Sequence, residues 1–182
     1  HAMFDMVRWW LDKGIDGFRI DAISHLKKAP GLPDLPNPGA LPYVPSYEMH
    51  MNREGVLDFV DELSRVTFQR YDVMTVGEAN GVSPAQALEW VGAKHRRLSM
   101  LLQFEHWTLW SHDPHAALDV IELKRILSRW QKTLNGSGWN ALYLENHDLP
   151  RVVSRWGDPL RYRYESATAL ATMYFLMQGT PF

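Results

Sequence analysis

The sequence predicts an α/β fold in which parallel strands alternate with helices. Short apolar runs alternate with segments of helical periodicity along the 182 residues, and such alternation is typical of parallel sheets with crossover helices. Three of the runs end on carboxylates, within 17–21, 73–78 and 142–148. Because the carboxyl ends of parallel strands lie at one edge of a sheet, we expect these acids to face a common site.

The first elements follow from periodicity and from proline. Apolar residues recur at helical spacing over 3–12, and Gly14 ends that helix. Residues 15–21 then form an apolar strand that ends on Asp21. The segment 24–53 is rich in proline and can be neither a regular helix nor a central strand. We expect it to be a long strand-to-helix loop that forms one wall of the site.

The middle of the chain repeats the same alternation. Helical spacing returns over 54–69, and an apolar run over 71–79 predicts the second strand. Ser83 followed by Pro84 is a typical helix start, since serine caps the first turn and proline fits its first position. We expect that helix to end near Val91.

The last elements complete the alternation. Strands are predicted over 98–104 and 139–144, and a helix between them over 121–134, after an irregular aromatic stretch at 107–119. The final helix, 162–178, contains the most apolar stretch of the chain, and we expect it to face the core.

Two arrangements of these strands are open. Strands left unpaired at the edges of a sheet are a liability, and a closed barrel removes them. A doubly wound sheet is the alternative, but it usually carries a glycine-rich phosphate-binding turn, which is absent from this sequence. The sequence therefore favours part of a barrel.

Composition excludes several classes of function. The net charge is −2 and there is no basic patch, so neither nucleic acid nor an anionic membrane surface is an expected partner. No apolar run approaches the roughly 18 residues that span a bilayer. The chain has no cysteine, which excludes disulfides and fits a reducing, cytoplasmic location. The chain begins inside an amphipathic segment, so we expect an internal fragment in which no targeting signal can be read.

Asp21 is the first candidate site residue. It follows a strand and could serve as a helix N-cap. Arg19 lies two positions earlier, however, and therefore points to the same side of the strand. A buried guanidinium at that position would keep Asp21 ionised, as a nucleophilic carboxylate requires. Both interpretations are open from these residues alone.

Glu78 and the segment 146–148 are the other candidates. Glu78 follows Gly77 at a strand end, where an apolar setting near a second carboxylate would raise its pKa, as a general acid requires. The alternative is an ordinary salt bridge. Asn146-His147-Asp148 could be a simple turn, which Pro150 favours.

Two further kinds of site find no support in the sequence. A Ser-His-Asp hydrolase would need a Gly-x-Ser-x-Gly elbow, which is absent. A metal site would need histidines at ligand spacing, and the remaining histidines show none. They are His25, His50, His95, His106, His112 and His115. We predict no metal and no cofactor.

Taken together, these segments resemble the conserved regions of glycoside hydrolase family 13, the α-amylase family. Residues 17–22 resemble its nucleophile segment, 77–79 its acid/base segment and 146–148 its third-carboxylate segment. Neighbouring stretches are similar to the α-glucosidase (oligo-1,6-glucosidase) branch of the family: 10–17, 104–106, 123–131 and 178–182.

The resemblance implies a (β/α)8 TIM barrel. Residues 1–182 would then be a partial catalytic domain that supplies strands four to seven and the start of strand eight. Strands one to three, with an Asp and a His that bind the terminal sugar, would precede His1. We therefore expect this fragment to be inactive by itself.

The resemblance also assigns roles. Asp21 would be the nucleophile, Glu78 the acid/base and Asp148 a group that binds sugar hydroxyls and stabilises the transition state. Arg19 would orient Asp21, and His147 would donate to a sugar hydroxyl. The implied chemistry is retaining hydrolysis of an α-glucoside oligosaccharide.

The linkage preference is inferred from Ala22, whereas Leu149 is a departure from the family pattern that leaves the acceptor preference open. Ala22 is small, as in members that act on α-1,4 links, whereas members that act on α-1,6 links tend to carry Val. Leu149 replaces the usual Gln, and Arg151 closes the same segment as a substrate-binding candidate. We predict an exo-acting α-1,4-glucosidase for maltose-like oligosaccharides. The alternatives are an α-1,6-glucosidase, a transglycosylase or sucrose/trehalose-type isomerase, and a non-catalytic transporter-associated homologue.

Overall fold

A parallel sheet forms the frame of the molecule. The computed structural model describes residues 1–111, 113 and 116–182. Within them, the strands are β1 (Gly17–Ile20), β2 (Met74–Glu78), β3 (Met100–Leu102), β4 (Asn140–Leu142) and β5 (Thr180–Pro181). They pair in parallel and in chain order, β1-β2-β3-β4-β5. A doubly wound sheet would reverse its order at a switch point, so the sequential order supports the barrel alternative and confirms the α/β prediction.

Helices connect the strands as the alternation predicts. They are α1 (Ala2–Asp12), α2 (Val56–Val66), α3 (Pro84–Val91), α4 (Val120–Leu134), α5 (Val153–Trp156) and α6 (Arg163–Phe175). Ser83 lies at the N-cap of α3, and its N–H donates to the Gln86 side chain at 3.1 Å. The four-residue α5 is too short to leave a periodic signal, and the sequence did not predict it.

The main core lies between the sheet and the helices. Val60, Trp90 and Trp130, from α2, α3 and α4, are almost completely buried there. A smaller cluster, which contains Val76 and Ala141, covers the opposite face of the sheet. In a barrel this second face would be the interior.

Two glycines allow the strands of the site to approach closely. Gly17 has φ +153°, and a Cβ there would lie 1.7 Å from the Met74 carbonyl oxygen across β1 and β2. A Cβ on Gly77 would lie 2.6 Å from a Leu98 methyl group. A side chain at position 17 would therefore push β1 and β2 apart where the strands begin, and one at position 77 would displace Leu98 close to the strand end that carries Glu78.

The segment 24–53 crosses from β1 to α2 without any α-helix or strand. Short 3-10 turns occur at Ile23–His25 and Tyr47–Met49. The Asn52 side chain donates to the Gly81 carbonyl at 2.9 Å. The end of this loop is therefore fixed beside the segment that follows β2.

One prediction about the last helix is wrong. α6 contains no buried residue, although we expected it to face the core. The half-buried positions 166, 170, 173 and 174 lie on one face of α6, but its apolar residues are distributed around the helix instead of forming one stripe, so this face is not fully buried. Among the described residues, no helix is both long and apolar enough to cross a membrane.

Candidate active site

Three charged side chains meet at the ends of β1 and β2. The Arg19 guanidinium donates through Nη1 to Asp21 Oδ1 and through Nη2 to Glu78 Oε2, the latter at 2.5 Å. Charge-assisted bonds of this kind are stronger than neutral ones and fix orientation as well as distance. The structure thus brings together Arg19, Asp21 and Glu78 as the sequence predicted.

The pKa values of the two carboxyls in this group are shifted in opposite directions. A hydrogen bond with Glu78, and then the Arg19 guanidinium, hold the pKa of Asp21 below its usual range. Burial, and then the hydrogen bond with Asp21, raise the pKa of Glu78. The Glu78 side chain is only 11% exposed, whereas that of Asp21 is 74% exposed. Environments that separate two carboxyl pKa values in this way are typical of an acid/base pair.

Arg19 is less buried than we expected. Its side chain is 36% exposed, because β1 lies at the edge of the described sheet and β2 covers it from one side only. The expected orientation of Asp21 by Arg19 is found, but the guanidinium is not buried.

Ala22 connects the two acids through the backbone. It adopts a left-handed conformation, with φ 45° and ψ 35°. Its N–H donates to Glu78 Oε2 at 3.3 Å. Ala22 therefore lies directly beside both carboxylates, and a β-branched side chain would be strained at this φ.

His147 and Asp148 lie on the loop that follows β4. His147 Nε2 and Asp148 Oδ1 are 3.6 Å apart, and both side chains are exposed. Asn146 Oδ1 accepts the Asp148 N–H at 3.0 Å, which forms the turn that Asn146 and Pro150 predict. These two candidates are neighbours, but no hydrogen bond among the described residues joins them to the carboxylates of β1 and β2.

Tyr143, which directly follows β4, is buried and was not predicted as a site residue. Its hydroxyl donates to the Gln103 carbonyl at 2.7 Å. Burial raises the pKa of Tyr143, and the charges of Glu78 and Asp148 add to this effect. Alternation along the strand, with Ala141 on the small-cluster face, could have identified Tyr143.

His106 is a second residue that the sequence did not assign. It is completely buried, and its Nδ1 lies 2.8 Å from the Gln103 amide nitrogen. Burial lowers the pKa of His106 to about 4, so its ring is neutral at pH 7. The ring packs edge-on against Tyr143 at 4.7 Å between centroids. His106 therefore supports the wall that holds Tyr143.

Arg151 is paired within the protein. Its Nη1 lies 2.7 Å from Glu145 Oε1, and its side chain is 88% exposed. This contact gives Arg151 a structural partner, while its exposed surface leaves a substrate contact as a prediction.

The described residues contain no cluster of three or more His, Cys, Asp or Glu side chains that could hold a metal ion. His25 and His50 do meet, with their Nδ1 atoms 2.7 Å apart, but they form only a pair. His112 and His115 lie outside the described residues.

Comparison with known proteins shows which protein family the chain belongs to. The family model described as "Alpha amylase, catalytic domain" matches residues 1–182. The chain belongs to this family, as its motifs predicted.

Two individual relatives of the chain are named as glucosidases. The chain is 56% identical over 182 residues to the "Probable oligo-1,6-glucosidase 3" of Bacillus subtilis (strain 168), and 40% identical over 190 residues to an "Alpha-glucosidase" of Pediococcus pentosaceus. Each match covers all of this chain but 33% of the relative. The chain thus spans about a third of the length of these relatives.

Two solved structures are similar in fold to this chain. The trehalose-6-phosphate hydrolase of Bacillus licheniformis matches with a TM-score of 0.84 at 37% identity, over 99% of this chain and 32% of that one. The isomaltulose synthase of Klebsiella sp. LX3 matches with a TM-score of 0.83 at 31% identity, over 100% and 33%. The sheet described above is therefore similar to a portion of these enzymes.

Proposed function

We propose that the intact protein is a retaining, exo-acting α-glucosidase that removes terminal α-1,4-linked glucose from maltose-like oligosaccharides. The observation that carries this proposal is the contact of Asp21 and Glu78 through one guanidinium, with carboxyl pKa values moved in opposite directions. An ionised acid beside a protonated acid is the pair that double displacement at an anomeric carbon requires.

In the first step, ionised Asp21 attacks the anomeric carbon of the terminal glucose. Protonated Glu78 gives its proton to the glycosidic oxygen, the C–O bond breaks and the shortened sugar leaves. In the second step, Glu78 takes a proton from water, and the resulting hydroxide displaces Asp21 from the anomeric carbon. A retaining enzyme needs its two carboxyls about 5–5.5 Å apart, and the side-chain contact between Asp21 and Glu78 supports close spacing of this kind.

His147 and Asp148 would bind the glucose hydroxyls on the opposite side of the site. An anionic Asp148 would also stabilise the positive charge that develops on the sugar ring in the transition state. The exposure of both side chains leaves their polar atoms available to a ligand. The charge of His147 also contributes to the lowered pKa of Asp21, which supports a site that includes both loops.

Linkage preference depends on Ala22. Because Ala22 donates its N–H to Glu78, its side chain lies next to the group that protonates the leaving oxygen. A small side chain leaves more space for the leaving sugar, although one or two methyl groups change selectivity by only about 1–3 kcal/mol. This position supports α-1,4 preference.

A second candidate is an α-1,6-glucosidase. It is favoured by the names of the relatives, which include "Oligo-1,6-glucosidase" of Parageobacillus thermoglucosidasius at 43% identity and "Glucan 1,6-alpha-glucosidase" of Streptococcus dysgalactiae subsp. equisimilis at 41%. Both functions use the same covalent intermediate and differ in which oxygen of the leaving sugar, O4 or O6, is released.

The deciding experiment measures kcat/KM of the intact protein on maltose, isomaltose, sucrose and p-nitrophenyl α-glucoside. The proposal predicts hydrolysis of the nitrophenyl substrate and a higher value on maltose than on isomaltose. An equal or higher value on isomaltose selects the second candidate, and isomerisation of sucrose without net hydrolysis selects an isomerase. No turnover of any substrate, with all three acids present, would favour a binding role.

A further inference from the structure

We infer that Glu145 is a positioning residue, which holds the loop that presents His147 and Asp148 to the substrate. This inference rests on the proposed glucosidase function for its kinetic consequences, but its structural part stands on contacts within the chain. Glu145 begins the loop after β4, and α5 begins where the loop ends.

One carboxylate connects the two ends of this loop. Glu145 Oε2 accepts the backbone N–H of Val152, and Glu145 Oε1 pairs with Arg151 Nη1 at 2.7 Å. The six residues 146–151 are therefore enclosed by contacts of a single side chain. We call this arrangement the Glu145 clamp.

The backbone contact contributes more to the clamp than the ion pair does. The first N–H groups of a helix have no partner within the helix, and Val152, at the N-cap of α5, donates to a charged oxygen. The Glu145 side chain is 22% exposed, whereas that of Arg151 is 88% exposed. An ion pair with so exposed a partner contributes little, so the bond to Val152 is the main attachment.

The loop needs such an attachment because its functional side chains are exposed. His147 and Asp148 contact one another at 3.6 Å, and Asn146 bonds the Asp148 amide. These contacts lie within the loop and fix its local shape, but not its position relative to β4. The Glu145 clamp supplies that position, and a displacement of about 1 Å at a reacting centre can lower a rate by about 100-fold.

Glu145 does not itself act as a third acid. Both of its oxygens are occupied by protein donors, and its charge reaches Tyr174 on α6, where it helps raise the pKa of the phenol. Truncation should therefore alter the position of the loop, reach the titration of Asp21 only through the displaced charge of His147, and leave the titration of Glu78 unchanged.

The test compares Glu145→Ala and Glu145→Gln with the wild type in the intact protein. Hydrogen exchange measured by mass spectrometry reports on the peptide 145–153, and kinetics on p-nitrophenyl α-glucoside report on the site. Glu122→Gln is the matched control, since Glu122 pairs with Arg125 on the exposed side of α4. We expect Glu145→Ala to exchange the peptide at least about 10-fold faster and to lose about 10- to 100-fold in kcat/KM, with the basic limb of the pH profile, which Glu78 sets, unchanged.

The Glu145→Gln variant keeps an oxygen acceptor for Val152 and should recover most of both losses. Wild-type exchange and kinetics in Glu145→Ala would overturn the inference, and so would a shifted basic limb of the pH profile, which would make Glu145 act directly on Glu78. Faster exchange in a protein whose wild type hydrolyses no α-glucoside would support the clamp and overturn the proposed function. If Glu145→Ala does not fold, Glu145→Leu, which keeps the bulk of the side chain and removes both acceptor oxygens, takes its place. The same losses are expected, and wild-type exchange in that variant overturns the inference.

Discussion

The two sides of the candidate site are built differently. On the β1–β2 side, one guanidinium bonds two carboxylates, and the acids are fixed relative to one another by charge. On the β4 side, His147 and Asp148 are exposed on a loop whose backbone is held at its ends. The first side can set pKa values, because its charges are in direct contact. The β4 side can adapt to a sugar, because the polar atoms of His147 and Asp148 form no hydrogen bonds with the charged groups of the β1–β2 side.

The largest expected effect is on the nucleophile. Asp21→Asn should lower kcat of the intact protein by at least about 10⁴-fold, the scale seen when a covalent nucleophile is removed. Asp58→Asn, on the exposed face of α2, is the matched control and should leave kcat unchanged. Steady-state kinetics on p-nitrophenyl α-glucoside measures both. A loss of less than 10-fold in Asp21→Asn would mean that the β1–β2 side does not carry the chemistry.

Arg19→Met should be the next most damaging change, at about 100-fold in kcat/KM, because the two acids lose their shared donor. The Arg19 charge lowers the pKa of both Asp21 and Glu78, so its removal should raise both. Activity requires ionised Asp21 and protonated Glu78, and both limbs of the pH–rate profile should therefore move to higher pH. Unmoved limbs would show that charge contact does not set these pKa values.

Ala22→Val should have a smaller effect. This variant tests whether residue 22 determines the preference between α-1,4 and α-1,6 links. We expect the ratio of kcat/KM on maltose to that on isomaltose to fall by about 10-fold, within the 1–3 kcal/mol that one or two methyl groups supply. Because φ is positive at this position, Ala22→Ser is the control for backbone strain. An equal loss on both sugars in Ala22→Val would attribute the effect to strain and not to selectivity.

The smallest expected effect concerns the loop 24–53. Burial, and then the charges of His50 and Lys28, lower the pKa of His25. The folded state therefore binds fewer protons than the unfolded state near pH 6.5, and the free energy of unfolding should rise with pH through that region. Urea unfolding at pH 5.5 and pH 7.5 measures how steeply the free energy of unfolding rises with pH. This rise should be smaller in His25→Gln than in the wild type. A slope that is the same in both proteins would contradict this assignment.

The sequence predicted the alternation of strands and helices and the grouping of Asp21 with Arg19, and the physical reason is clear. Arg19 and Asp21 are two apart on a strand, and that spacing alone places them on one side. The burial of Arg19 could not be predicted in the same way, because it depends on which strand lies at the edge of the sheet. The exposure of α6 was also mispredicted, because an apolar composition does not determine whether the residues form one stripe.

The residues that sequence reasoning missed depend on contacts between distant segments. Tyr143 is bonded to the Gln103 carbonyl, and His106 packs against Tyr143. Glu145 was not among the predicted site residues, and its role follows only from its bond to Val152, across a loop whose length the sequence does not mark.

The central claim is that Asp21 and Glu78 divide the work of a double displacement. The most direct measurement is to incubate the intact protein with a fluorinated glucosyl fluoride, which slows the second step, and to locate the adduct by peptide mass spectrometry. The account predicts one glucosyl adduct on Asp21, which is absent from Asp21→Asn and slower to hydrolyse in Glu78→Gln. An adduct on another residue, or release of the inverted anomer without any adduct, would contradict it.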